Sequence, residues 1–320
     1  MNAIAINVNR KSSGVSHFGD STFKWLTLLM ALSVFVLIAL IGYELFVGAR
    51  PSIQKFGWHF LVSSSWDPVN GVFGALPYIF GTLVTSFIAL LIAVPLSIAT
   101  AVFLTELAPL WVRQPLIMFI ELLAAIPSVI LGFWGFYVMV PWLHDHVYPL
   151  LRSSLGFLPF FQGADHGPCI LSAGIILAIM IIPIITSVSR EILRSVPGLQ
   201  REAAYALGAT RWEVTRIAVL SYAKRGLFGA VILGLGRALG ETMAVTMLIG
   251  NAPYIGWSVF APGQTLASVL ANEFTEASDP LYSSALFHVG LVLLGVTLLV
   301  NALARLLLVT FAGPGMKPQH

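Results

Sequence analysis

The sequence predicts an all-α integral membrane protein with six transmembrane helices, and three observations support this prediction. Hydrophobic residues make up 58% of the 320-residue chain and charged residues only 10%, with a mean hydropathy of +0.89. Six apolar stretches each approach or exceed the roughly 20 residues that a helix needs to cross the hydrocarbon layer. Basic residues are distributed unevenly between the connecting segments. This composition excludes a soluble globular domain.

The six apolar stretches are spread along the whole chain. The first is about 22 residues long, which exceeds the roughly 7 to 15 residues of a cleaved signal peptide, so we expect a retained membrane anchor. Pro95, Pro127 and Pro183 fall inside stretches, where proline is expected to kink a helix and to free backbone carbonyls. The predicted spans are 26–47, 79–104, 116–140, 169–188, 226–250 and 285–309.

Lysine and arginine residues predict the orientation. With the N-terminus in the cytoplasm, 13 of the 17 lie inside, 3 lie outside and Arg237 alone lies within a span. Cytoplasmic segments of membrane proteins normally carry this excess, so both termini are predicted to be cytoplasmic, and the net charge of +3 does not indicate nucleic-acid binding. The chain then divides into an N-terminal cytoplasmic segment 1–25, a transmembrane domain 26–311 and a cytoplasmic tail 312–320. The internal set is Arg10, Lys11, Lys24, Arg113, Arg190, Arg194, Arg201, Arg211, Arg216, Lys224, Arg225, Arg305 and Lys317, and the external set is Arg50, Lys55 and Arg152.

The external segments, 48–78, 141–168 and 251–284, are too short to be separate catalytic domains. In the last of them TLASVLANEF has helical apolar spacing, and we interpret it as a short helix packed over the mouth of the bundle. A partner-binding surface is the second interpretation. His144-Asp145-His146 has no third ligand at a recognisable spacing, so no metal is expected there. The single cysteine, Cys169, excludes an internal disulfide and is interpreted as a buried packing residue.

The longest internal polar region, 189–225, is predicted to form two short helices that meet at a glycine turn. Good helix formers follow Pro197 and Gly198, Gly208 fits a helix stop, and Thr210 can cap a second helix that begins near Arg211. Such an elbow is suited to docking into a groove of a partner protein. A helix lying flat on the lipid surface is the alternative, because the arginines would suit that position too.

Glu202-Ala203-Ala204 with Gly208 six positions after Glu202 resembles the EAA loop of bacterial ABC importer permeases. The second half of the motif departs from that pattern, since Ala218, Val219, Leu220 and Ser221 stand where the family has Ile-x-Leu-Pro, which puts the bend after this helix in doubt. Four further patches are similar to the PstC type of permease from phosphate-specific importers. They are YIFGTLVTSFIALLIAVPLSIATAVFLTELAP, IELLAAIPSVILGFWG, LGLGRALGETMAV and LANEFTEA.

The resemblance implies a function and a set of partners. The expected fold is the MetI-like permease fold of type I ABC importers, and the expected function is the inward movement of inorganic phosphate across the bacterial inner membrane. The chain would form half of the path with a PstA-type permease, bind a PstB-type ATPase dimer through Glu202, Ala203, Ala204 and Gly208, and receive phosphate from a periplasmic PstS-type binding protein. Phosphate-signalling proteins are further expected partners.

No nucleotide site is predicted in this chain. A G-x-x-x-x-G-K-[ST] loop is absent from the sequence, so ATP and Mg²⁺ are expected on the partner ATPase, and the chain is expected to be neither an enzyme nor a cofactor-binding protein. Gly234, Gly236 and Gly240 do not match the dinucleotide fingerprint. Gly236 and Gly240 have instead the small-xxx-small spacing that lets transmembrane helices approach closely, so we predict helix packing for them.

Arg237 and Glu241 are the proposed residues of the substrate path. On a continuous helix they would lie about 40° apart on one face, and each charge alone costs roughly 2.5 to 3.5 kcal/mol at the centre of a span. A guanidinium offers forked donors that match two oxygens of phosphate, and Glu241 would hold Arg237 when the path is empty. An ion pair that only locks helices together is the structural alternative. Glu121 is a third candidate for the path, with snorkelling to the surface or helix capping as its alternatives.

Three other functions compete with phosphate import. Arg237 would serve a permease for sulfate or molybdate equally well, and the chain could act chiefly as a membrane sensor of phosphate. An intramembrane enzyme is disfavoured, because no nucleophile, base and orienting group converge at helical spacing.

Overall fold

The computed structural model describes residues 17–163 and 167–311. The predicted tail 312–320 and the first sixteen residues of the predicted segment 1–25 lie outside these described residues. Residues 17–25 belong to the first helix, which therefore begins earlier than the predicted span at residue 26.

The described residues form fourteen α-helices, several of which are joined end to end through π-helical turns. The π-helical turns are Phe103–Leu107, Gly135–Met139, Leu143–Val147 and Val214–Leu220, and one 3-10 turn covers Pro159–Phe161. The α-helices are α1 His17–Phe56, α2 His59–Val62, α3 Leu76–Val102, α4 Leu110–Ala125, α5 Ser128–Trp134, α6 Val140–Trp142, α7 Tyr148–Leu155, α8 Ile170–Arg194, α9 Gly198–Ala206, α10 Arg211–Glu213, α11 Ser221–Gly240, α12 Met243–Leu248, α13 Leu266–Glu273 and α14 Pro280–Phe311.

Five helical stretches of the described chain are long and apolar enough to cross a membrane. A sixth span results if the bent pair Leu110–Ala125 and Ser128–Leu155 is counted as one. The prediction of an all-helical protein with six spans is confirmed in this form. The five unbroken stretches are Gly19–Phe56, Leu76–Leu107, Ile170–Arg194, Arg211–Gly240 and Pro280–Leu308.

The third predicted span is broken rather than kinked. Ile126 has extended backbone angles (φ −67°, ψ 126°), and the helix axes before and after it differ by 95°. Proline disfavours helical backbone in the residue that precedes it, so Pro127 ends α4 and allows α5 to begin in a new direction. The second half continues to Leu155, and the predicted external segment 141–168 is therefore helical over its first part.

The fifth predicted span, 226–250, was placed too far along the chain. The helix runs from Arg211 to Gly240 and ends there, because Glu241 is extended (φ −71°, ψ 127°). Since α8 also continues to Arg194, the connection between the fourth and fifth spans is shorter than the predicted polar region 189–225. It comprises only the residues between Arg194 and Arg211. Hydropathy misplaced this boundary because the first turns of the helix carry arginine and glutamate side chains.

Helices α3, α8 and α11 form the centre of the bundle. Ala89 and Ala93 of α3, Ile181 and Ile185 of α8 and Ala230 of α11 are fully buried in one cluster. In lipid, close packing of small residues replaces the hydrophobic driving force between helices, and alanines at these positions allow the backbones to approach. The span α8 is the most deeply buried of the five.

At the edge of the bundle α1 packs along α14. The Ser52 hydroxyl lies 3.0 Å from Nδ1 of His288, and the Ser52 amide donates to the Ser284 hydroxyl, so polar side chains join the two helices. The His288 ring also stacks on Phe60 with 3.9 Å between the centroids. The remaining surface of α1 exposes large apolar side chains along its length, as expected for contact with lipid or with another chain.

The predicted helix in the last external segment is confirmed as α13, and it covers the ends of α3 and α14. The Leu266 amide donates to the Thr82 hydroxyl, and Gly81 leaves room for the backbone of Gln264. The first turn of α13 is buried, and the Thr265 side chain caps it by accepting from the Ser268 amide.

Candidate functional site

The helix break after α11 positions Arg237 and Glu241. Arg237 lies in the last turn of α11, and Glu241 is the first residue beyond it. Their nearest atoms, Nη2 and Oε2, are 4.0 Å apart, which is too long for a strong hydrogen bond. The Glu241 side chain is only 9% exposed, whereas that of Arg237 is 42% exposed. The structure therefore brings the two predicted residues together, although not on one face of a continuous helix.

Arg237 lies on a face of α11 that the described residues leave exposed. Leu233, Arg237 and Gly240 are exposed along that face, whereas Ala238 and Leu239 point into the bundle. A pathway formed by this chain alone would need this face to be enclosed. The described residues instead leave the guanidinium accessible on this face.

The predicted packing role of Gly236 and Gly240 stays a prediction, because the described residues provide no close neighbour for either glycine. No atom of the described residues lies within 4 Å of a Cβ built at either position, apart from neighbours along the helix itself. The close approach is made by Gly234, whose Cβ would lie 2.6 Å from Cδ1 of Ile185 on α8. The small-xxx-small spacing marks a small-residue face, but it does not tell which neighbour that face meets.

The helical segments that follow the breaks in the third and fifth spans pack closely against each other. A Cβ on Gly132 of α5 would lie 2.8 Å from Sδ of Met247 and 3.1 Å from Cα of Ala244, both on α12. A Cβ on Gly135 would lie 2.9 Å from Cδ1 of Leu248. The helical segments that follow Pro127 and Glu241 therefore touch almost backbone to backbone, which joins the two breaks mechanically.

Glu121 contacts a residue outside the Arg237–Glu241 pair. Its Oε1 lies 3.7 Å from Nη2 of Arg190, and its side chain is 60% exposed. Arg190 also donates to Glu191 at 3.2 Å. An open groove of about 640 Å³ beside Glu121 is lined by α8 residues and includes neither Arg237 nor Glu241. The structure thus places Glu121 near the predicted cytoplasmic end of α8.

The residues from Gly198 to Glu213 form the short helix α9, the turn at Gly208 and α10, and we call them the cytoplasmic elbow. Of the two predicted short helices only α9 is separate, because α10 is the first turn of the span Arg211–Gly240. Gly208 has a φ of +81°, a conformation that favours glycine, and the Thr210 side chain accepts from the Glu213 amide while its own amide donates to Glu213 Oε2. The predicted glycine stop and threonine cap are confirmed.

The outer surface of the cytoplasmic elbow is apolar and uncovered. Leu207 is 90% exposed, and Leu199, Tyr205 and Trp212 are also exposed. Glu202 and Ala203 of the EAA motif are exposed, and Ala204 borders a shallow groove. Exposed apolar side chains of this kind are typical of a surface that contacts another protein or a membrane.

Sequence reasoning missed Glu106, which lies just beyond α3 and contacts both arms of the elbow. Arg201 of α9 donates to Glu106 Oε1 at 2.9 Å, and Arg211 of α10 donates to the Glu106 carbonyl oxygen at 2.6 Å. An acidic residue at the end of an apolar run was the available signal, but the partner lies 95 residues away in the chain.

Glu273, at the end of α13, was also missed. Trp66 and Tyr282 both donate to its Oε2 at 2.7 Å, and the surrounding aromatic rings shield it from water. Burial raises the pKa of this carboxyl above its usual value of 4.5, and the two hydrogen bonds oppose that rise. Glu273 therefore fastens α13 to the external ends of its neighbours.

Residues 93–309 match the family described as "Binding-protein-dependent transport system inner membrane component". The chain belongs to this family. The matched residues of this transport component include the Arg237–Glu241 pair, the cytoplasmic elbow and both helix breaks.

Curated relatives of this transport component are similar to it over nearly its whole length. The phosphate transport system permease protein PstC of Haemophilus influenzae is 49% identical over 90% of this chain and 93% of its own. The protein of the same name from Mesorhizobium japonicum is 48% identical over 90% of both chains. A probable PstC of Methanocaldococcus jannaschii is 39% identical over 87% of this chain and 90% of its own.

Solved structures confirm the fold of the transport component. A chain of a bacterial alginate ABC transporter, crystallised with an alginate-bound periplasmic protein, superposes with a TM-score of 0.60 at 18% identity, over 93% of this chain and 99% of that one. A chain of the inward-facing MetNI methionine ABC transporter superposes with a TM-score of 0.54 at 17% identity, over 77% of this chain and 99% of that one. The predicted MetI-like importer fold is thereby confirmed.

Family membership fixes the class of the protein. It is a multi-pass inner membrane permease of an ABC importer and a transport component rather than an enzyme. A transporter of this kind also has a binding protein and an ATPase as partners.

Among the described residues, no three His, Cys, Asp or Glu side chains cluster so that they could hold a metal, and His144 pairs with its neighbour Asp145 at 3.1 Å.

Proposed function

We propose that the chain is the permease subunit of an ATP-driven importer of inorganic phosphate, with Arg237 in the substrate path. The observation that carries this proposal is the identity of 47 to 49% over about nine-tenths of the chain with three bacterial permeases named for phosphate transport. The accessible guanidinium at the break of the fifth span supplies the chemistry that such a substrate requires.

Phosphate is a fitting ligand for Arg237 because one guanidinium can donate paired hydrogen bonds to two phosphate oxygens. A guanidinium keeps its charge at all relevant pH values and presents two parallel N–H groups to two phosphate oxygens. Glu241 would repel the anion, but its side chain is largely buried and its Oε2 lies 4.0 Å from Nη2 of Arg237. We infer that Glu241 limits how tightly Arg237 holds phosphate, so that the anion is released rather than trapped.

The uncovered face of α11 supports a second permease as the other half of the path. Leu233 and Arg237 are exposed there, and Gly236 and Gly240 leave space in which another helix could approach. We propose a PstA-type permease in this position. A periplasmic PstS-type protein would then deliver phosphate to the external side, near α13.

The cytoplasmic elbow supports docking of a PstB-type ATPase dimer, on which ATP and Mg²⁺ would be bound and hydrolysed. Glu202, Ala203, Ala204 and Gly208 would form the contact, because they lie on a short exposed helix and its turn. The exposed apolar side chains around them would be covered on docking. Alternating access would follow from rocking of the two permeases around a path that includes Arg237.

The experiment is ATP-driven phosphate uptake by the reconstituted complex with Arg237→Gln, Arg237→Lys and, as a control, Arg305→Gln near the end of α14. We expect uptake to fall by about a hundredfold for Arg237→Gln, since loss of a charged hydrogen-bonding partner costs on the order of 2 to 5 kcal/mol. Arg237→Lys should recover only part of the activity because it lacks the forked donors. Normal uptake by Arg237→Gln would contradict the proposed role.

A further inference from the structure

We propose that Glu106 and Arg201 form a connector that couples movement of the ATPase to the transport path by holding the cytoplasmic elbow rigidly to α3 and α8. The proposal rests on the proposed function, because it assumes that the elbow receives the ATPase. It concerns a step that docking alone does not provide, namely the transfer of displacement from the elbow to the membrane-spanning helices.

The Arg201 guanidinium donates hydrogen bonds to three acceptors. Nη2 donates to Glu106 Oε1 at 2.9 Å and to the Leu193 carbonyl at 3.0 Å, and Nη1 donates to the Val196 carbonyl at 2.6 Å. The Leu193 carbonyl belongs to the last turn of α8, where the helix leaves backbone acceptors without intrahelical partners, and Val196 lies two residues beyond the end of α8. One side chain of the elbow thus binds both α8 and the segment that follows α3.

Glu106 completes the connector from the other side. Its carboxylate accepts from Arg201 in the first arm of the elbow, and its carbonyl accepts from Arg211 Nη2 at 2.6 Å in the second arm. Both arms are therefore attached to a single residue at the end of α3. A displacement of either arm is transmitted to the same point.

The connector differs from an ordinary surface ion pair. Exposed pairs contribute little because water and salt screen them, but here the Arg201 and Glu106 side chains are only 24% and 13% exposed. The helix α9 that carries Arg201 buries none of its own residues. Its contacts are with the turn Val214–Leu220, so the hydrogen bonds of Arg201 are what attach α9 to the end of α8 and to the segment after α3.

The attached helices lead directly to the transport path. Leu193 and Val196 are buried against α3 and the start of the fifth span, in a cluster that also contains Ala223 and Leu227. Helices α3 and α8 in turn pack on α11, which carries Arg237. The second arm is already continuous with the fifth span. With the connector in place α9 would move together with this central group, whereas a loose α9 would swing without moving it.

The test compares Arg201→Lys and Glu106→Gln with Arg194→Lys and Glu191→Gln. The second pair is a matched control, because Arg194 and Glu191 are an exposed ion pair (3.4 Å) near the same end of α8 and lie outside the set of hydrogen bonds that Arg201 makes. Each variant is reconstituted as the complete complex. The amount of ATPase that co-purifies, the rate of ATP hydrolysis and the phosphate taken up per ATP are measured.

We expect the connector variants to retain the ATPase and to hydrolyse ATP, but to lower the phosphate transported per ATP by about tenfold, because lysine lacks the forked donors that reach several acceptors and glutamine lacks the charge that strengthens the hydrogen bond from Arg201. Amide hydrogen exchange of residues 198–206 should be faster in these variants and unchanged in the controls. A normal transport ratio in the connector variants, or loss of the ATPase itself, would overturn the proposal. Failure of the unaltered complex to take up phosphate would contradict the proposed function instead.

Discussion

Gly234 lies where α11 crosses α8, and alanine at this position is expected to weaken the bundle. A Cβ there would lie 2.6 Å from Cδ1 and 2.7 Å from Cγ1 of Ile185, well inside the roughly 3.5 to 4.0 Å at which carbon atoms attract. Ile185 is itself fully buried, so its side chain has no open space into which to move. Either the helices separate or Ile185 adopts a strained rotamer, and overpacking of this kind costs about 1 to 3 kcal/mol.

Gly236 provides the matched control two residues along the same helix. No atom of the described residues outside the local helix lies within 4 Å of a Cβ built there. Replacing glycine by alanine also improves helix propensity by about 1 kcal/mol, and this gain applies to both positions. The difference between Gly234→Ala and Gly236→Ala therefore isolates the clash, which we expect to be about 1 to 3 kcal/mol.

The assay is thermal unfolding of the purified full-length chain in detergent, without partner subunits that could contact Gly236. Gly236→Ala should melt at or above the temperature of the parent protein, and Gly234→Ala should melt below Gly236→Ala. Equal melting temperatures for the two variants would refute the close contact between α11 and α8. They would also remove the argument that Gly236 and Gly240 face a different neighbour from Gly234.

Three further predictions address the two ends of the molecule. Glu273→Gln should remove a pH dependence of stability. Burial raises the pKa of the native carboxyl, so the native state binds more protons than the unfolded state. The melting temperature of the parent protein should therefore fall as the pH rises from about 4.5 through the native pKa. A parent melting temperature that rises over this interval, or a variant that keeps the same decline, would contradict the assignment. Thr210→Ala should lose the cap of the second arm, at a cost of about 1 kcal/mol, with faster hydrogen exchange at residues 211–214, and unchanged exchange would count against the cap. Glu202→Lys should reverse the charge at the rim of the cytoplasmic elbow and prevent co-purification of the ATPase, whereas Lys224→Glu outside the elbow should not; retention of the ATPase by Glu202→Lys would exclude the elbow as its docking site.

Local signals in the sequence were sufficient for the spans and for the elbow. Length and hydropathy alone decide whether a helix can cross a membrane, so the number of spans could be predicted. Gly208 and Thr210 act through their own backbone geometry and through residues three positions away, so the turn and the cap could be predicted as well. Both kinds of feature depend on short-range interactions.

The helix breaks and the charge contacts depend on tertiary structure and were less accessible. Pro127 predicts a disturbance, but whether a proline kinks a span or turns it through 95° depends on what supports the second half, which here is α12. Nothing local shows that the helix ends before Glu241. The Glu106–Arg201 pair joins residues 95 positions apart, and one sequence without its homologues offers no means of pairing them.

The most direct test of phosphate import is an uptake assay with the complete complex in proteoliposomes. Uptake of radiolabelled phosphate is measured in the presence of a fixed excess of unlabelled sulfate or molybdate. We expect uptake that requires ATP, requires this chain, and is unaffected by either competing anion. Strong competition by sulfate or molybdate would assign the path to another oxyanion, and phosphate uptake that persists without this chain would contradict its role as the permease.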